Sequence, residues 1–111
     1  MAYNERLAKR VDAALEKLNP PKLVDKKMFG GIGFMVQGNL ACGVIDDRLI
    51  VRVGKEAYED ALKEPGVRLF DITGRPMSGW VMVEAEVLQS DAALAGWVAQ
   101  GVEFALSLPP K

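Results

Sequence analysis

Met28-Phe29-Gly30-Gly31-Ile32-Gly33-Phe34-Met35 sets three glycines among large apolar side chains, directly after the charged Asp25-Lys26-Lys27. Upstream, the chain reads as one helix leading into this stretch; downstream, it reads as the sheet that the stretch begins. A dinucleotide fingerprint would need G-x-G-x-x-G between a strand and a helix. Starting from Gly31 the pattern reaches Gly33, but Val36 stands where the third glycine belongs and a strand follows. The phosphate-loop pattern G-x-x-x-x-G-K-[ST] occurs nowhere in the chain. The stretch is therefore read as a tight turn or bulge that lets Phe29 and Phe34 pack. A backbone cradle for a phosphate is the minor reading.

Before it, Leu7, Val11, Ala14, Leu15 and Leu18 repeat at helical spacing, with Arg6, Lys9, Asp12, Glu16 and Lys17 on the opposite face. Asn4 is suited to the N-cap and Glu5 to the first turn. Asn19-Pro20-Pro21 stops the helix, because a residue before proline is pushed out of the α region. After the glycines, 32–36, 40–45 and 48–53 read as a three-stranded meander turned at Gln37-Gly38-Asn39 and Asp46-Asp47. In its third strand Leu49, Val51 and Val53 share one face, and Ile50 and Arg52 the other. A short helix over 55–63 ends at Glu64-Pro65-Gly66. Strands follow at 67–72 and 80–84 with a loop at 73–79 between them, and Ser90 with Asp91 opens a last helix over 91–107. Its Gly96 and Gly101 suggest close backbone approach to another element. The order is α-β-β-β-α-β-β-α. It predicts a single α+β domain over 1–111, two layers deep, with a mainly antiparallel five-stranded sheet.

The 111 residues are 50% hydrophobic and 26% charged with a net charge of −1, so no global field draws the chain to nucleic acid. The charge is polarised nonetheless. Residues 1–27 hold seven basic groups against four acids, while 82–111 hold Glu84, Glu86, Asp91 and Glu103 against Lys111 alone. Two solvated helix faces of opposite sign are the plainer explanation. The chain has no histidine. That excludes a Ser-His-Asp triad, a histidine general base and any His-containing zinc site. The lone Cys42 has no resolving partner and sits in an apolar strand, where a thiol is inert. These features point to a cytoplasmic protein without a membrane span, catalytic residues, metal or cofactor.

Asp46-Asp47 falls short of the oxygen count of a calcium site and is assigned to the turn. Glu84 and Glu86 alternate onto one strand face, where a solvated edge is the default. Arg52, on an otherwise apolar strand, and Arg75, in a Gly-Arg-Pro-Met loop, are better candidates to receive an acidic partner or an anion. Phe29, Met35 and Met77 form a candidate adaptable patch, although core packing is the commoner fate of such side chains.

Taken as a set, Met28-Phe29-Gly30-Gly31-Ile32-Gly33, Gly38, Asp46-Asp47-Arg48-Leu49, Val51-Arg52-Val53 and Gly74-Arg75-Pro76-Met77-Ser78 resemble the N-terminal domain of the TfoX/Sxy family of bacterial competence regulators. The resemblance implies a fold similar to type III secretion chaperones, possible homodimerisation and no catalytic residues. Full-length relatives act with the cyclic-AMP receptor protein at competence promoters and carry a second, C-terminal domain, which is not expected within 1–111. The resulting expectation is a non-catalytic regulatory module that binds a protein partner through Phe29, Gly30, Gly31, Gly33, Arg52, Arg75 and Met77. The alternative is a sensor or enzyme that holds a small anionic ligand on the glycine turn and Arg52/Arg75. Direct nucleic-acid binding through the basic first helix ranks last.

Overall fold

A computed structural model describes residues 3–28, 30–70 and 79–110. Helix α1 spans Glu5–Leu18, and Asn4 caps it by accepting from the Leu7 amide at 3.0 Å. Four strands follow: β1 Leu23–Met28, β2 Gly31–Val36, β3 Asn39–Ile45 and β4 Arg48–Arg52. Helix α2 is Lys55–Leu62, after which come β5 Val67–Leu69, β6 Trp80–Val83, a 3₁₀ turn Ala85–Leu88 and helix α3 Asp91–Ser107. The described strands form one sheet in the order β1-β2-β3-β4-β6-β5, antiparallel throughout.

The α+β architecture and the three helices are as expected, but among the described residues the sheet has six strands and not five. The additional one is β1. Val24, Asp25, Lys26 and Lys27 are all exposed, as suits an edge strand kept soluble by charge. Its partner is the glycine stretch: Met28 pairs with Gly31, and the register continues to Leu23 opposite Val36. The stretch that looked like a launching turn is therefore the reversal and second arm of a hairpin. Gly30 takes φ 74° at the reversal, and Gly31 and Gly33 lie inside β2. A side chain at Gly31 would run into the Val44 carbonyl, which explains a glycine there without any ligand.

The second hairpin is also tighter than expected. Gln37 and Gly38 both take positive φ, at 54° and 83°, the pattern of a two-residue turn matched to strand twist. Asn39 belongs to β3 instead; it is 2% exposed and donates from Nδ2 to the Pro109 carbonyl at 3.0 Å.

Cross-strand rows such as Val44–Leu49–Val83 and Cys42–Val51–Val81 are completely buried on one sheet face. Leu7, Val11 and Leu15 of α1 and Leu94, Val98, Val102 and Ala105 of α3 join them in a single core. Each such Val or Leu contributes about 1.5–3 kcal/mol through burial. Arg10 ties the two helices together. Its Nη2 donates to the Leu88 carbonyl at 2.7 Å and to Asp91 at 3.0 Å, so the basic and acidic ends of the chain meet here.

The glycines of α3 have unlike surroundings. At Gly101 a Cβ would strike the Ala41 carbonyl of β3, whereas at Gly96 it would meet nothing within 4 Å. Close approach accounts for the first only. Gly101→Ala is expected to destabilise by about 1–3 kcal/mol through overpacking, and Gly96→Ala to stabilise by up to about 1 kcal/mol through helix propensity. Urea unfolding of the two variants checks both signs.

Candidate functional site

Strand β4 ends at Arg52, paired with Trp80 of β6. Because alternate residues of a strand share a face, Arg52 and Trp80 lie opposite the helix-covered row of Val51 and Val81. The Arg52 guanidinium carbon lies 5.1 Å from the Trp80 ring centroid and 5.3 Å from that of Phe104. A cation over aromatic faces gains about 0.5–2 kcal/mol per ring, depending on desolvation. Phe70 supports Trp80 from a centroid distance of 6.2 Å. Gly54 makes the arrangement possible on two counts. Its φ of 86° with ψ of 161° is a conformation essentially confined to glycine, and a Cβ there would occupy the Phe104 ring position. The amides of Val53 and Gly54 both donate to the Gly79 carbonyl, at 2.8 and 3.0 Å, and fix the strand end against β6.

Arg52, Val53, Gly54, Gly79, Trp80 and Phe104 line a cleft of about 580 Å³, closed further by Lys55, Glu56 and Ala57 at the start of α2 and by Ser107. No side chain caps α2. Two cations and one acid therefore face the cleft among its described lining residues, against apolar walls. Arg52 has no carboxylate within salt-bridge distance among the described residues, and this sets it apart from three other arginines. Arg10 is bonded to Asp91, and Arg48 and Arg68 both lean on Glu84, at 3.3 and 3.0 Å. Arg48 Nε lies off the hydrogen-bond line to Glu84 and has no other partner among the described residues, so that contact is Coulombic. A second cleft of about 470 Å³ surrounds Arg10, but its guanidinium is engaged in joining α1 to α3.

Of the residues singled out in sequence, Arg52 is in the cleft, while Phe29, Arg75 and Met77 lie outside the described residues. Gly30, Gly31 and Gly33 are not brought to Arg52. Gly31 stands two strands away and toward the other end of the sheet, roughly 10 Å across and about 13 Å along by strand geometry. Gly33 pairs with Gly43, which pairs with Ile50, so it is nearer along the strands but still two strands removed. Glu84 and Glu86 form no acid pair, since Glu84 is held by two arginines and Glu86 is exposed in the 3₁₀ turn. Lys55, Trp80 and Phe104 were missed. Beyond Arg52 itself, the local trace of this corner in sequence is Gly54, two residues after it.

The family model described as the TfoX N-terminal domain matches residues 13–105. The chain belongs to the TfoX N-terminal domain family. Comparison with curated proteins and with solved structures gives no match. The TfoX match spans Arg52, Gly54, Lys55, Trp80 and Phe104 together. The TfoX N-terminal domain is regulatory in type, related to competence control, and is not a known catalytic family. Among the described residues of this TfoX domain, no helix is long and apolar enough to cross a membrane, and no acid or thiol cluster could hold a metal ion.

Cys42 lies in β3 with no exposed surface, and burial pushes its thiol up to about 12 from 9.0. The folded state thus holds this proton after the unfolded state has released it. Below pH 9 the group contributes no pH dependence; from pH 9 to 12 it lowers stability by roughly 1 kcal/mol per pH unit. Denaturant melts of wild type and Cys42→Ala across pH 8–11 isolate this slope. It is expected in the wild type and absent from Cys42→Ala, so that the difference between the two curves carries it.

Proposed function

We propose that this TfoX N-terminal domain is a non-catalytic, cytoplasmic regulatory module that recognises an acidic protein partner through the Arg52 cleft. The observation that carries the reading is Arg52 itself. Its guanidinium is bracketed by Trp80 and Phe104 without a carboxylate partner among the described residues. An arginine oriented by aromatic rings loses less conformational freedom on binding than a free one, and its planar fork matches a carboxylate. Aromatic residues and arginine are also the side chains enriched at interaction hot spots. The family's regulatory type supports the same reading.

A second reading is a sensor of a small anionic molecule. The cleft volume favours it, since about 580 Å³ falls within the size range of ligand pockets. The glycine stretch has no part in that reading, because it lies elsewhere on the sheet. A thermal-shift screen with nucleotides and organic phosphates addresses it; a flat response rejects those ligands. A second copy of the chain is a further candidate partner, and a monomer mass by light scattering at high concentration rejects it.

For the leading reading, Arg52→Glu and Arg52→Gln are expected to weaken capture of the native partner at least about tenfold. Affinity purification from the native cell with wild-type and variant baits measures this, with circular dichroism confirming that the variants fold. Equal recovery by all three baits would move the contact away from Arg52.

A further inference from the structure

Resting on the reading of the Arg52 cleft as a contact site, we propose that it selects a singly charged carboxylate carried on an apolar stem, such as a glutamate side chain, and discriminates against phosphate. Three features of the cleft point this way.

The first is charge. Arg52 and Lys55 bring two positive groups to the lining and Glu56 brings one negative group, so the described lining carries a net single positive charge. One carboxylate neutralises it. A phosphate ester near neutral pH carries between one and two negative charges, and its excess charge would be left unneutralised and repelled by Glu56 at the rim of the cleft.

The second is the form of the cation. A guanidinium offers a planar, rigid fork that pairs with the two oxygens of a carboxylate in parallel hydrogen bonds. The two rings limit how far that fork can turn away from the cleft.

The third is the wall. Val53, Ala57, Trp80 and Phe104 present apolar surface around the charged end. An acid with methylenes or a ring behind its carboxylate can bury that stem, whereas inorganic phosphate has none to bury. A cleft of about 580 Å³ leaves room for such a stem beside the charged group.

The test uses the full chain and two simple probes, benzoate and inorganic phosphate, at matched ionic strength. Amide shifts of Gly54, Lys55 and Gly79 and the Arg52 Nε resonance are followed by NMR. Benzoate is expected to produce saturable shifts confined to this corner, with phosphate at least about tenfold weaker. Arg52→Lys keeps the charge but loses the fork, and should weaken benzoate about tenfold, the equivalent of one charge-assisted hydrogen bond. Glu56→Gln should strengthen phosphate and narrow the difference between the probes. Because Glu56 is exposed at the start of α2, this variant is expected to fold.

Phosphate binding as tightly as benzoate in the wild type, or no saturable shift with benzoate, overturns the proposal. So does an unchanged ratio between the probes in Glu56→Gln. Failure here is distinguishable from failure of the functional reading. Flat titrations with partner capture still lost in Arg52→Glu would remove the carboxylate selectivity alone. Selective benzoate binding with capture unaffected by Arg52→Glu would remove the partner reading and leave the site.

Discussion

The approach of α3 to the sheet at Gly101 sets where Phe104 meets the end of β4. With no side chain there, the helix backbone settles against the Ala41 carbonyl, with the Val51 side chain beside it. Three residues later, nearly one turn on, Phe104 reaches the end of β4. Its ring occupies the space left by the missing side chain of Gly54 and comes over Arg52. A larger residue at either glycine would lift the helix or displace the ring, and the aromatic bracket around Arg52 would open. Core packing and site geometry thus rest on the same contact.

The same depth of packing explains how the chain's uneven charge is resolved. Read along the sequence, a basic beginning and an acidic end look like two solvated surfaces. In the fold α1 and α3 lie side by side, and Arg10 bridges them by bonding the end of the 3₁₀ turn and the first residue of α3. The exposed ion pair alone is worth little. The bond to the Leu88 carbonyl adds more, because it satisfies a backbone acceptor at the end of the 3₁₀ turn. Just after β6, Glu84, with its side chain 18% exposed, holds Arg48 and Arg68 from the strands on either side of β6. The polar side chains that join these elements are thus engaged within the molecule.

The helices were legible because their evidence is local. Asn4 and Ser90 cap where their spacing to the apolar stripe requires, and both accept the bonds expected of a cap. Strand β1 was not legible for an equally physical reason. Leu-Val-Asp-Lys-Lys-Met has neither clean alternation nor a buried run, because an edge strand with one solvated side needs only its backbone ladder. Missing it turned a hairpin into a turn and made the sheet one strand short. At the cleft, Arg52 stood out as a charge on an apolar strand. Trp80 and Phe104 did not, since their meeting depends on the β4–β6 register and on the depth of α3, neither of which a single sequence encodes locally.

A purely structural role for Arg52 is the harder case to make. If its work were to fill the space between Trp80 and Phe104, an apolar side chain of similar volume would do so without taking a charge out of water. Arg10 and Arg48, both partly buried, recover part of that desolvation through an acid, and Arg10 also through a carbonyl. For Arg52 the described surroundings offer aromatic faces and a cleft. Ring contacts of about 0.5–2 kcal/mol offset part of the desolvation while leaving the donors of the fork to be met by something else. Water can meet them in the free protein, at no gain over the unfolded chain. An incoming carboxylate meets them with charge-assisted bonds, and the orientation imposed by the two rings is then an advantage in place of an unexplained restraint.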